Sequence, residues 1–420
     1  MTEKIIVIAS FPPKGSIHGN KYSAVASYTK NTLDSINLSL DKNDDVKFTV
    51  LADVLESSND YIDGNIQVKR CWSRNSQNPY FSLIREVLKL RDHKKVIFEF
   101  EFGMFGGNKI LIALVPIFIL KLRFLGKKIY TVSHAVILDS SEISGQLGYP
   151  QKSLTASLYD FSLKLIYFMI VLSSTKVIVF EEYLRKKLIK SVSFATKINT
   201  IPHGVEENRK VKIGLPPKIK NSDFTVLNFG FVIWYKGSDW LISAVNESKI
   251  ASNIKFILAG GFSNVHKTNK IYQKYMKKVE TNLDLAKEKS PLPQILMTGF
   301  LKETDIDSYF SSCDVVILPY RVLISASGPL SFAISHKKPF ILSENLKGYM
   351  EDVNFKNAMG SSGVSEADLF FDMTVDKFAT FINNLKNTPA TLEKLHKLSK
   401  MLLEQRSWKE TGKKYAKAIW

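Results

Sequence analysis

Short runs rich in Val, Ile and Phe recur along this chain, each followed by a longer stretch whose apolar residues return every three or four positions. The first kind of run suits a buried strand, and the second a helix packed along one face. In the N-terminal half the pattern predicts strands over residues 4–9, 46–51, 95–101, 128–132, 176–180 and 198–201, with helices over 80–90, 110–124 and 153–172. Residues 206–222, with Gly214, Pro216, Pro217 and several lysines, break the alternation and read as a linker. A second series then predicts strands over 225–229, 255–258, 294–297, 315–318 and 339–342. Helices are predicted over 238–245, 271–289, 303–311 and 329–335, and the tail from 375 to 420 is mainly helical. Such alternation builds mostly parallel sheets covered by helices, so the fold class is α/β with two doubly wound, Rossmann-like domains facing a cleft. The expected N-terminal domain is 1–205 and the C-terminal domain 223–395.

Two helical stretches are unusually apolar. Residues 110–120 carry no charge but contain Pro116 and stop at Lys121 and Arg123; residues 158–172 are interrupted by Asp160 and Lys164. Each falls short of the roughly 20 apolar residues that a membrane span needs, so buried or interfacial helices are expected and no transmembrane segment. The opening Ile5-Ile6-Val7-Ile8 run reads as a strand rather than a signal peptide.

At 420 residues the chain exceeds one ordinary hydrophobic core, which agrees with two domains. Its 58 Lys and Arg against 40 Asp and Glu give a net charge of +18. That field suits a polyanion or an anionic membrane surface, or simply a lysine-rich, soluble exterior. No recognition module or zinc spacing accompanies it, so nucleic acid is not an expected partner. The two cysteines, Cys71 and Cys313, are far apart and imply no disulfide framework, which fits a cytoplasmic location, peripheral on the inner membrane face if the charge serves a membrane.

Two stretches carry candidate chemistry. In Phe229-Gly230-Phe231-Val232-Ile233-Trp234-Tyr235-Lys236-Gly237-Ser238 a strand ends on glycine, and Lys-Gly then opens a helix. A helix start offers unpaired N–H groups and partial positive charge, and a lysine there adds a full charge against a diphosphate; the same residues also make ordinary solvated turns. In Leu318-Pro319-Tyr320-Arg321, followed by Ser325-Ala326-Ser327-Gly328-Pro329-Leu330, a buried strand feeds a small-residue loop and a helix with Pro329 in its first turn. Ser327 can cap that helix, or the Ser327 and Gly328 amides can hold phosphate oxygens with Arg321 in reach. His134 lies just past a strand end, Glu101 near another, and Gly15-Ser16 in a turn that permits close approach. No Cys/His cluster, Walker sequence or Gly-x-Ser-x-Gly elbow is present.

Taken in order, these stretches resemble the retaining glycosyltransferases of family four, the glycosyl transferases group 1. The resemblance rests on Phe11-Pro12-Pro13, Glu99-Phe100-Glu101-Phe102-Gly103, Thr131-Val132-Ser133-His134 and Ile201-Pro202-His203-Gly204-Val205 in the first half. In the second it rests on Phe256-Ile257-Leu258-Ala259-Gly260, Thr298-Gly299-Phe300-Leu301 and Arg406-Ser407-Trp408. It implies a GT-B fold, with the donor held by the C-terminal domain and the acceptor by the N-terminal one, and residues 396–420 crossing back onto the first domain. It would place Lys236, Ser327 and Gly328 on the donor diphosphate, Gly299, Phe300 and Leu301 at the base, and His134 beside the transferred sugar. Gly230 and Pro329 complete the donor side; Gly15, Ser16 and Glu101 face the acceptor. The family's arginine after the glycine is absent, since Phe231, Val232 and Ile233 follow Gly230. Its pair of glutamates, eight apart, is replaced by Ile324 and Phe332. Arg321 would then supply the second cation, and Ser331 or Glu344 the ribose contact.

The function expected is transfer of a hexose from a nucleotide-diphosphate sugar to a glycan or lipid-linked glycan, with retention, no metal and no cofactor beyond the donor. The alternative is a GT-B protein without catalysis, acting as a glycan-binding or partner subunit.

Overall fold

The structure, a computed structural model, describes residues 2–16, 24–40, 45–55, 59–74, 76, 78–106, 109–147, 153–207, 224–262, 269–288 and 295–420. The linker expected at 206–222 therefore lies mostly outside the described residues.

The N-terminal strands are β1 (Glu3–Ile8), β2 (Val46–Asp53), β3 (Tyr61–Asp63), β4 (Ile66–Trp72), β5 (Lys95–Phe100), β6 (Lys128–Ser133), β7 (Lys176–Val179) and β8 (Ile198–Thr200). They form one sheet in the order β3-β4-β2-β1-β5-β6-β7-β8. Every pairing is parallel except the β3/β4 hairpin. The central strands are buried on both faces, as an all-parallel core requires. The hairpin was not expected from the pattern. Lys69 and Arg70 interrupt its apolar alternation because it lies at the sheet margin, where Arg70 donates to the Asp53 carbonyl at 2.7 Å and the Pro12 carbonyl at 3.0 Å.

The C-terminal strands are β9 (Phe224–Phe229), β10 (Ile254–Ala259), β11 (Ile295–Met297), β12 (Val315–Leu318), β13 (Phe340–Ser343) and β14 (Phe370–Phe371). They form a parallel sheet ordered β11-β10-β9-β12-β13-β14. The edge strand β14, two residues long, is too short for any pattern to announce. The two domains carry separate apolar cores. Cys71 and Cys313 fall in different domains, and burial pushes both thiols up to about 12.

The domain boundary near the C-terminus differs from the expectation of 396. The helix Pro389–Arg406 buries Leu395, Leu398, Leu402 and Leu403 in the C-terminal core. The crossing starts only at Ser407, and the helix Trp408–Ile419 adds Tyr415, Ala418 and Ile419 to the N-terminal core. It lies against the helix Ala24–Ser39, where a Cβ on Gly412 would stand 2.1 Å from the Ser35 carbonyl oxygen. The two helices meet so closely that only glycine fits. The Tyr28 and Tyr415 hydroxyls share a 2.5 Å hydrogen bond across the same seam.

At the crossing itself Arg406 is fully enclosed and holds both oxygens of Glu181, at 2.8 and 3.0 Å, and Asp352 at 3.2 Å. Val205 pairs with Ser407 and exchanges backbone bonds with Arg406 and Trp408 at 2.7 and 3.1 Å. One ion cluster thus ties both domains and the returning chain together.

The expectation that neither apolar stretch could span a membrane needs correcting for the second. The helix Leu154–Ser173 is 20 residues long, with a mean hydropathy of 1.4 over its most apolar window, and is long and apolar enough to cross. Its inner face nevertheless belongs to the N-terminal domain: Asp160 accepts the Ser140 N–H at 2.6 Å, and the Tyr167 hydroxyl donates to the Ala135 carbonyl at 2.6 Å.

Candidate active site

The carboxyl ends of both sheets meet. Directly after β6, Ala135 pairs with Ser325, and the Val136 N–H donates to the Ile324 carbonyl at 2.8 Å. That contact sets the residues after β6 against the loop that leads into the helix Gly328–Ser335. His134 and Ser327, 193 positions apart in sequence, are brought to one cleft by this strand-like bridge.

On the C-terminal side, Gly230 directly follows β9, and residues Trp234–Lys236 form one tight turn that closes on Gly237. Gly230 is where the parts converge. A Cβ there would stand 2.9 Å from the Lys236 Nζ and 3.3 Å from Pro329 Cγ. Lys236 makes no hydrogen bond or ion pair with the described residues; its ammonium lies 6.0 Å from the centre of the Tyr320 ring. Burial without a countercharge pushes its pKa down to about 8. A desolvated cation with no partner among the described residues is electrostatically suited to an anion.

Ser327 caps the adjoining helix, accepting the Leu330 N–H at 3.3 Å, and shares a 3.0 Å hydrogen bond with the Tyr320 hydroxyl. Its side chain is therefore committed, and the N-terminal N–H groups at Gly328 are what remains for a ligand. The space where a Gly328 Cβ would project is open. Ser331, one turn on, lies 3.4 Å from His203 Nδ1.

Arg321 is not free to act as the second cation suggested by sequence. Its guanidinium forks onto Asp239 at 2.8 and 2.9 Å, donates to the Trp234 carbonyl and stacks 5.1 Å over the Trp234 ring. Its backbone N–H also holds the Tyr235 carbonyl at 2.8 Å. Arg321 thus fixes the turn that carries Lys236. Asp239, buried on the following helix, carries no local sequence signal that marks it.

At the outer ends of β9, β10 and β11, Phe231 and Phe300 meet edge to face at 5.7 Å, each about half exposed. Gly299 turns the chain there with a φ of 73°, and Leu301 packs inward against the core. Ile324 and Phe332, standing where the resemblance leads one to look for carboxylates, are built into apolar clusters. Ile324 joins Ile137, Ile143 and Leu163 at the domain junction, and Phe332 lies against Phe229 and Phe310.

On the N-terminal side, His134 Nε2 is 2.7 Å from Glu99 Oε2. Glu99 is wholly buried, which raises its pKa, while His134 pulls it down; its second oxygen has no partner among the described residues. The His134 ring is held edge-on by Tyr28 at 5.0 Å and Phe180 at 5.2 Å. The same Tyr28 touches His203 and Trp408, so the hinge and the crossing helix share one aromatic cluster with His134. Burial pushes His203 down to about 4, leaving it neutral. Glu101 approaches from the end of β5 closely enough to raise the Tyr235 pKa, after burial itself. Gly15 and Ser16 sit in a turn closed by the Ser16 N–H, which donates to the Pro13 carbonyl at 3.1 Å.

Residues 215–358 match the family profile of Glycosyl transferases group 1, which covers the Lys236 turn and the Ser327 helix. The whole chain superposes on sucrose-phosphate synthase from Thermosynechococcus elongatus with a TM-score of 0.69 at 12% identity, covering 99% of this chain and 98% of that one. The chain has the GT-B glycosyltransferase fold. The trehalose-6-phosphate protein from E. coli bound with UDP-2-fluoro glucose gives the GT-B chain a TM-score of 0.68 at 10% identity, with 99% of both chains covered. HepE from Anabaena in complex with UDP and glucose gives 0.62 at 13%, again over 99% of both. Among curated protein sequences none matches this GT-B chain.

Proposed function

We propose that the protein transfers a hexose from a nucleotide-diphosphate sugar to a hydroxyl of a glycan or lipid-linked glycan. The observation that carries this reading is Lys236, a partly buried ammonium without a countercharge among the described residues, placed beside Gly230 and the start of the helix Gly328–Ser335. When the bond from the anomeric carbon to the diphosphate breaks, its electron pair stays on the phosphate oxygen. A fixed cation and helix N–H groups placed there stabilise the leaving group more than the bound donor. The acceptor oxygen forms the new bond to the same carbon and gives up its proton. His134, held by Glu99 across the cleft, stands on the sugar side of this arrangement and orients hydroxyls rather than phosphate. Phe231 and Phe300 offer the base an exposed aromatic edge beyond the diphosphate.

The structural relatives support the donor class, since two of those compared were captured with UDP or a UDP-sugar. Retention follows from the family resemblance, and the anomeric configuration of the product, read by NMR, tests it.

The second reading, a GT-B protein that binds without catalysing, is favoured by Ile324 and Phe332, which put apolar packing where carboxylates would be. Incubation with UDP-, GDP- and ADP-sugars, following nucleotide release, separates the two. Nucleotide release with one donor, abolished in a Lys236→Met variant, supports transfer. Tight donor binding with no release from any of them supports the second reading.

A further inference from the structure

The helix Leu154–Ser173 presents Leu154, Leu158, Phe161, Leu165, Phe168 and Leu172 to the outside, Phe161 at 65% exposure. At 100° per residue these six fall within about 80° of the helix circumference, on a stripe about 27 Å long. The helix Lys109–Phe124, packed alongside, exposes Ile110, Leu114, Ile117 and Phe124 with the same three- and four-residue spacing. Phe81 and Leu88 of the helix Pro79–Lys89 line a groove with Leu114, Ile117 and Lys121, which continues the face onto a third helix. An apolar surface of this extent is unusual on a soluble domain and marks a docking site.

The charge around it identifies the occupant. Lys164 lies on the stripe's flank, Lys121 and Arg85 line the groove, and Arg123 sits at the helix end, where it adds to the burial that lowers the Lys197 pKa. The three helices carry only two acids. Glu86 is buried under Lys69 and Lys89, and Asp160 is held by the Ser140 N–H. An apolar stripe with aromatic residues and a basic, acid-free border is the pattern of a surface that lies in a lipid headgroup layer. A second copy of the chain would bring two basic borders together across a symmetric interface. A span is opposed by the inner half of the helix, which holds Leu163, Tyr167 and Ile170 inside the domain.

We propose that the outer face of these three helices docks the N-terminal domain, in the membrane plane, onto a bilayer rich in anionic lipid. The helix Lys109–Phe124 follows the loop after β5, so this face starts at the cleft rim and runs away from it. Docking would hold the acceptor side of the cleft next to the bilayer. The inference stands independently of the transfer reaction.

The test is flotation of the full chain with vesicles of phosphatidylcholine alone or with phosphatidylglycerol, at low and high salt, scored also after carbonate washing. The chain is expected to float with anionic vesicles at low salt and to be released by carbonate. Leu158→Glu/Phe161→Glu/Leu165→Glu should abolish flotation. Lys121→Gln/Arg123→Gln/Lys164→Gln should weaken it by about two orders of magnitude. Leu285→Glu, an exposed position of the C-terminal domain, should leave it unchanged. Circular dichroism melts confirm that each variant is folded. No flotation at low salt, or flotation of the folded Glu variant equal to the parent, overturns the proposal. So does resistance to carbonate, which would mean a span, or a dimer that the Glu variant dissolves without any vesicle binding. None of these outcomes depends on donor turnover, so a failure here leaves the transferase reading to its own assay.

Discussion

Lys236 and Glu99 are the two charged groups whose surroundings are hardest to explain by folding alone. Lys236 sits desolvated with its pKa at about 8 and no partner among the described residues, so an anion entering the site meets an ammonium that has already lost much of its water. The pH dependence has a definite sign. Below 8 the group is protonated in the free protein and donor affinity is constant. Above 8 binding must first recharge it, so affinity should fall by up to tenfold per pH unit until the pKa of the complex is reached. Calorimetry with a nucleotide-sugar from pH 6 to 9.5 checks this, and a Lys236→Met variant should show no such fall. Glu99 acts at one remove, through the 2.7 Å contact to His134. Glu99→Gln should lower kcat roughly tenfold or more with donor affinity nearly unchanged, because in the proposed reaction the ring it orients faces the sugar and not the diphosphate. Equal losses in kcat and affinity would mean that Glu99 supports the fold and not the geometry of His134.

Among the elements, the crossing at Arg406 and the helix Trp408–Ile419 hold the two domains at one separation. Arg406→Met would leave Glu181 buried and uncompensated, at a cost of about 3–5 kcal/mol, measurable as a lower urea midpoint. Gly412→Ala should cost about 1–3 kcal/mol by forcing the last helix off the Ser35 carbonyl, with the loss read in the same titration. The sequence disclosed most of the strands in both sheets because buried parallel strands are continuous apolar runs. It did not disclose β3 and β4, whose lysine and arginine face the margin, the two-residue β14, nor the point where the last helices part company. Leu398 and Tyr415 look alike in a helical pattern; only the packing shows that one belongs to each core.

For the whole molecule, two doubly wound domains with a cleft were legible from alternation alone, and the GT-B arrangement from the order of motifs. The site was legible in part. Gly230, Lys236, Ser327, Gly328 and Pro329 do converge, because a strand end and a helix start are fixed by local sequence. Arg321 was misread, since its partner Asp239 is 82 positions away and nothing local announces the pairing. His134 and its bridge to the C-terminal loop depend on how the domains face each other, which local sequence does not encode. The central claim is that this cleft holds a nucleotide-diphosphate sugar on Lys236. The most direct measurement is calorimetric binding of UDP-, GDP- and ADP-sugars at pH 7 to the parent and to Lys236→Met. One donor should bind the parent, and the variant should bind it about 10–100-fold more weakly with an unchanged melting curve. If no donor binds the folded parent, or if the variant binds it equally well, the account is contradicted.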